Sequence, residues 1–98
     1  MSLKQATPMH FAVNNREPKN VEVLIKTGAN LDLQDFEGST PLHRALIQMF
    51  LDPVDTFEDY KKIIKILLFA GASRSIKDNQ GLTPMNLLEE NQKSITPK

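Results

Sequence analysis

A Thr-Pro-apolar triplet recurs three times, at Thr7-Pro8-Met9, Thr40-Pro41-Leu42 and Thr83-Pro84-Met85. The first two stand 33 residues apart and the last two 43. Gly-Ala recurs with the 43-residue offset, at Gly28-Ala29 and Gly71-Ala72, and so does Asp-x-x-Gly, from Asp35 to Gly38 and from Asp78 to Gly81. Three independent markers with one offset define an internal repeat, and a repeat of this length must bury its apolar face against its neighbours. Thr7 and Gly28 are 21 residues apart, Thr40 and Gly71 are 31, so a 10-residue insertion lies between those marks in the second unit.

Each marker has a physical use. A threonine before a proline caps a helix: its hydroxyl accepts an orphan backbone N–H, and proline at the first helical position brings a preset φ and no N–H to satisfy. Thr7, Thr40 and Thr83 therefore open helices of about 8–15, 41–50 and 84–91. Gly28 and Gly71 follow apolar runs and suit the left-handed residue that ends a helix. Gly38 and Gly81 lie in polar surroundings and read as turn glycines. Before the two Gly-Ala pairs, Val21, Val23, Leu24 and Ile25 match Ile64, Ile66, Leu67 and Leu68, a wide apolar face on a second helix. The unit is turn, helix, helix, turn.

The segment Asp35-Phe36-Glu37-Gly38-Ser39-Thr40-Pro41-Leu42-His43-Arg44-Ala45 closely resembles the ankyrin repeat signature, as does Thr7-Pro8-Met9-His10-Phe11-Ala12 with Val23-Leu24-Ile25-Lys26-Thr27-Gly28-Ala29. The resemblance implies an all-α solenoid: an L-shaped stack of antiparallel helix pairs, with short β-hairpin fingers near 30–39 and 73–82. Repeat 1 covers about 5–34 and repeat 2 about 35–77, with its insertion near 49–60. A partial repeat 3 covers about 78–92 and a tail 93–98. The resemblance further implies that His10 and His43, which share one repeat position, bond neighbouring backbone and brace the fingers. It implies binding of another protein through the fingertips and the first-helix face.

Departures from the pattern are informative. Asn20 stands where a branched apolar residue is usual. In the third unit Asn86 replaces the histidine, Leu88 replaces a small alanine, and Glu89 is charged. Beyond Asn91 only Ile95 is large and apolar, and Pro97 is a helix breaker. About two and a half repeats fall short of the three that a stack generally needs, which favours a piece of a longer protein over a minimal stack with degenerate caps. End repeats are then expected to expose Phe11, Val13 and Leu88 and to self-associate through them.

The insertion contains Pro53, which breaks the first helix. Thr56 with Asp59 resembles a capping box, so the second helix is expected to begin early, near Phe57, and to run to about Ala70. Phe50, Leu51, Phe57 and Tyr60 load this segment with large apolar side chains. They either cover the exposed side of the helix pair or form a partner-binding patch, as aromatics often do. Phe36, at the expected fingertip, is the leading contact candidate. Glu37, Ser39, Ile47 and Gln48 share its surface, with Asn79, Gln80 and Leu82 from the next unit and Asn14 and Asn15 at its edge. Each of these is equally readable as plain solvent surface. The lysines Lys61, Lys62 and Lys65 lie close enough to Glu58 and Asp59 for pairing along a helix.

Other chemistries find little support. Twelve basic residues balance twelve acidic ones, whereas a nucleic-acid binder usually shows a basic excess. No apolar run reaches the roughly 18–20 residues of a membrane span, and Met1-Ser2-Leu3-Lys4 is not a signal-peptide start. Cysteine is absent, which removes disulfides and thiolate chemistry and agrees with a cytoplasmic or nuclear setting. His10 and His43 lack further ligands at zinc spacing. Asp52, Asp55, Glu58 and Asp59 lack the spacing and central glycine of a calcium loop. The reading is a non-catalytic protein-interaction module with no cofactor, no nucleic acid and no membrane. The alternative is the regulatory or docking segment of a multidomain enzyme such as a kinase, an acyltransferase or a ligase adaptor.

Overall fold

A threonine hydroxyl facing a helical N–H is what starts each unit. The computed structural model describes residues 7–51 and 56–88. Helix α1 is Pro8–Asn14, α2 is Pro18–Lys26, α3 is Pro41–Leu51 and α4 is Phe57–Phe69; residues 84–88 are also helical. Thr7 Oγ1 accepts from the backbone N–H of His10 at 3.2 Å, Thr40 Oγ1 from that of His43 at 3.3 Å, and Thr83 Oγ1 from that of Asn86 at 3.1 Å. The other half of each box closes in the same way, with the Thr N–H donating to Nδ1 of His10, Nδ1 of His43 or Oδ1 of Asn86.

The helices end as they must for the chain to reverse. After α2 the N–H of Gly28 donates to the carbonyl of Ile25 and that of Ala29 to Leu24; after α4 Gly71 donates to Leu68 and Ala72 to Leu67. This is the Schellman pattern, and Gly28 and Gly71 hold φ of 89° and 97°. Helix α1 ends the same way, with Arg16 donating to Val13 and Glu17 to Ala12. Here the left-handed position falls on Arg16, with φ of 56°.

Helix α1 packs on α2 and α3, and α4 packs on α2 and α3, so two antiparallel pairs stack. The core runs through both pairs: Met9, Ala12, Val13 and Val21 from the first, Leu42, Ala45, Leu46, Met49, Tyr60, Ile63 and Leu67 from the second. Burying each large side chain contributes on the order of 1.5–3 kcal/mol. Ala12 and its repeat equivalent Ala45 are both buried; a small residue there lets the neighbouring helices approach.

The insertion lengthens the second unit rather than adding a loop to it. Helix α1 has 7 residues and α3 has 11; α2 has 9 and α4 has 13. Each helix of the second pair thus gains about one turn, and the remainder falls in the connection. The early start at Phe57 holds, but Thr56 does not close a capping box with Asp59: its backbone is helical, with φ −99° and ψ −1°, and it makes no side-chain cap bond. A cap residue needs an extended backbone to turn its hydroxyl onto the helix end. Pro53 with Asp52 and Asp55 lies outside the described residues, as do Glu89, Ile95, Pro97 and the tail.

Three expectations are corrected. No strand forms in either finger among the described residues; the fingers are turns stapled by side chains, not β-hairpins. Val13 is not an exposed end residue but fully buried, because two positions along a helix rotate it to the side opposite Phe11. Leu88 is half-buried against the core rather than open to solvent.

Candidate protein-binding face

The two fingers are copies. Asp35 N–H donates to the Ser39 carbonyl and Gly38 N–H to the Asp35 carbonyl; 43 residues on, Asp78 donates to Leu82 and Gly81 to Asp78. Asp35 Oδ1 accepts from Glu37 N–H at 2.9 Å and Ser39 N–H at 3.0 Å, and Asp78 Oδ1 accepts from Gln80 at 2.9 Å and Leu82 at 3.0 Å. The aspartate of each Asp-x-x-Gly is therefore the staple of its turn, an Asx-type device.

The fingers are also bonded to one another. Asn79 donates from its backbone to the Glu37 carbonyl at 3.0 Å and from Nδ2 to the Phe36 carbonyl at 3.1 Å. Gln34 Nε2 donates to both Gly38 and Lys77 carbonyls, and Ser73 N–H donates to Asp32 Oδ1. A Cβ at Gly38 would lie 2.5 Å from Asn79 Oδ1, so glycine permits this close approach.

The histidines tie helices to fingers. His10 Nε2 lies 2.8 Å from the Ser39 carbonyl, and His43 Nε2 lies 2.9 Å from the Leu82 carbonyl. A carbonyl can only accept, so Nε2 carries the proton; a backbone N–H from Thr7 or Thr40 can only donate, so Nδ1 is the acceptor. Both ring nitrogens of both residues are used structurally, which leaves neither for a metal or for general-base work.

An ion pair stiffens the first finger. Arg44 Nε donates to Asp35 Oδ2 at 2.7 Å and Arg44 Nη2 to Glu37 Oε1 at 2.7 Å. Burial pushes the Asp35 carboxyl up. The hydrogen bond from Arg44, those from the Ser39 and Glu37 backbone and the Arg44 charge outweigh it, so the carboxyl lies below its ordinary value.

Between the fingers and the first helices runs a groove of about 230 Å³, lined by Glu37, Ser39, Ile47, Asp78, Asn79, Gln80 and Leu87. Five of the residues named from the sequence thus meet there. Phe36 stands beside it at the fingertip, 58% exposed. Gln48 and Leu82 are half-buried and do not line it, and Asn14 and Asn15 are exposed at the end of α1, away from it. Ser39 lines the groove with little exposed surface: it is buried, with its N–H and carbonyl engaged by Asp35 and His10.

The insertion patch does not assemble as such. Tyr60 is a core residue, 1% exposed, with its hydroxyl donating to the Asn14 carbonyl at 3.5 Å. It fills the space that the lengthened helix pair opens. Phe50 and Phe57 are half-buried against the core, and Leu51 is exposed. Three features went unread in the sequence: the reach of Arg44 to Asp35, the groove walls Asp78 and Leu87, and Phe69, which is 90% exposed on the outer helices. Asp35 and Asp78 were visible as markers. No spacing rule connects residue 44 to residue 35 across a turn.

Comparison with known proteins follows the same repeats. A family model described as "Ankyrin repeats (many copies)" matches residues 2–45, and one described as "Ankyrin repeat" matches residues 37–79. The chain belongs to the ankyrin repeat family. It is similar to the putative ankyrin repeat protein FPV031 of fowlpox virus, 36% identical over 83% of the chain and 22% of that protein. It is also similar to rat NF-kappa-B inhibitor alpha, 48% identical over 45% of the chain and 14% of that protein. Among solved structures the ankyrin repeat domain of Bcl-3, a member of the IkappaB protein family, superposes with a TM-score of 0.69 at 27% identity, over 83% of this chain and 31% of that one. The ankyrin chain therefore spans less than a third of each of these three proteins. Ankyrin repeats are protein-interaction modules, and the groove between fingers and first helices is the concave side of this one. Among the described residues, no helix is long and apolar enough to cross a membrane.

Proposed function

We propose that this ankyrin segment binds a partner protein, without catalysis, along the groove between its fingers and the first helices, with Phe36 as the apolar anchor. The observation that carries this reading is the bonding of finger to finger and finger to helix. Asn79 to Phe36 and Glu37, Gln34 to Lys77, and the two histidine braces fix the loop surface before any partner arrives. A surface already held in one conformation avoids much of the ordering cost of association. An exposed aromatic on such a surface is the kind of side chain that dominates interfaces.

The test is a pull-down with wild type, Phe36→Ala and Phe69→Ala. A protein captured by wild type and Phe69→Ala but lost from Phe36→Ala supports the concave face. Loss only from Phe69→Ala moves binding to the outer helices and overturns the reading.

A second mode, self-association, is supported by the exposed apolar face of repeat 1. Phe11 and Val23 are each more than half exposed there and line a groove of about 410 Å³ with Ala12 and Leu24. Light scattering showing only monomer at high concentration would refute it.

A further inference from the structure

Repeats 2 and 3 carry the same finger but differ at one side chain that faces its aspartate. In repeat 2, Asp35 holds its turn through Oδ1 and receives Arg44 Nε on Oδ2 at 2.7 Å. The guanidinium extends to Glu37. In repeat 3, Asp78 holds its turn through Oδ1 in the same way. The position equivalent to Arg44, 43 residues on, is Leu87. Among the described residues no guanidinium or ammonium pairs with Asp78. The space beside Asp78 is the groove itself, with Leu87 and Ile47 as apolar walls and Asn79 and Gln80 at the rim.

We propose that this groove takes an arginine side chain from a partner protein, its guanidinium on Asp78 Oδ2 as Arg44 sits on Asp35, and its aliphatic stem or an adjacent apolar side chain on Leu87 and Ile47. The inference rests on the concave face being the binding face and adds the chemistry of what binds. Arg44 shows within the same chain that this finger geometry accepts a guanidinium. Arginine suits the site better than lysine because its planar fork can bond the carboxylate and the rim together, and its flat, weakly hydrated head tolerates partial burial. A partner arginine would also neutralise a half-buried carboxylate that is otherwise left to solvent.

Amide NMR titration of the full chain tests it, with acetyl-Leu-Arg-amide as probe and its citrulline counterpart as the uncharged control. Saturable shifts are expected at Asp78, Gln80, Leu82 and Leu87. They should weaken about tenfold or more for citrulline and in Asp78→Asn, since a charge-assisted bond is worth more than a neutral one. Asparagine keeps the Oδ1 acceptor and so the turn. Leu87→Arg should fill the site from within, abolish the shifts and raise Tm. Equal binding of both peptides in the groove overturns arginine recognition and leaves the concave face standing. Shifts confined to Ile25, Ile66 and Phe69 overturn both. No saturable shift with the arginine peptide, or Leu87→Arg leaving its shifts intact, overturns the arginine proposal alone.

Discussion

The imidazole of His43 bridges two repeats: its Nε2 donates to the Leu82 carbonyl at 2.9 Å while its Nδ1 accepts from the N–H and hydroxyl of Thr40. One fully buried side chain thus caps its own helix and holds the finger of the next unit. Repeat 3 keeps only half of the device. Asn86 closes the cap with Thr83, but its side chain is too short to reach across to a further finger.

His43→Ala leaves the buried Thr40 N–H without its acceptor, at a cost of about 1–3 kcal/mol. It also empties a fully buried site and takes one of two donors from the Leu82 carbonyl, which keeps the Asp78 N–H. A loss of about 2–4 kcal/mol in urea unfolding is expected. His43→Asn, which copies the Asn86 cap and loses only the bridge, should fall between wild type and His43→Ala. A His43→Ala midpoint equal to wild type would remove the bracing role.

Arg16 sits at the left-handed position ending α1, where α2 and α4 use glycine. A side chain there costs roughly 1–2 kcal/mol, offset in part by the greater freedom of glycine in the unfolded chain. Its ion pair with Asp59, at 4.0 Å and largely exposed, adds little. Arg16→Gly should stabilise the fold by about 0.5–1 kcal/mol, read as a higher urea midpoint with an unchanged slope.

Asp35 gives the stack an acid-sensitive element. Its carboxyl titrates below its ordinary value: burial raises it, but Arg44 and the Ser39 and Glu37 amides lower it more. A group depressed in the folded state adds stability above its unfolded pKa and loses it as pH falls through the folded one. The contribution is therefore complete above about pH 4 and fades below it. Arg44, Glu37 and His10, whose Nε2 is 4.0 Å from Asp35 Oδ2, are the charged or titratable neighbours. Asp35→Asn should lower stability at pH 7 and flatten the decline below pH 4. An identical acid profile in the variant would contradict this.

Tyr60 and Leu51, adjacent features of the insertion, should separate sharply. Tyr60→Ala empties a core site and is expected to cost about 3–5 kcal/mol. Leu51 is 74% exposed, and Leu51→Ala should change stability by no more than about 0.5 kcal/mol. Thermal unfolding of the two variants side by side measures the contrast.

The repeat offset made most of the fold legible because caps and C-terminal glycines act locally. Thr7, Thr40, Gly28 and Gly71 do in space what their positions in the chain imply. Tyr60 was misplaced because its burial depends on where a whole extra turn of α3 and α4 lands, which no local pattern fixes. Ser39 reads as surface because its side chain is small and polar, whereas its N–H is held by Asp35 and its carbonyl by His10, 29 residues away. The groove was legible in its finger residues, which recur, and hidden in Arg44 and Leu87, where the repeats differ and only the fold shows what each faces.

A partner protein bound along the concave groove would cover the fingers and the first-helix face. Amide hydrogen exchange of the chain, alone and with a protein isolated by the wild-type pull-down, tests it most directly. Slowed exchange is expected at residues 36–39, at Ile47 and at 78–82. Slowed exchange confined to the outer helices around Ile25, Ile66 and Phe69, with the fingers unchanged, would contradict it.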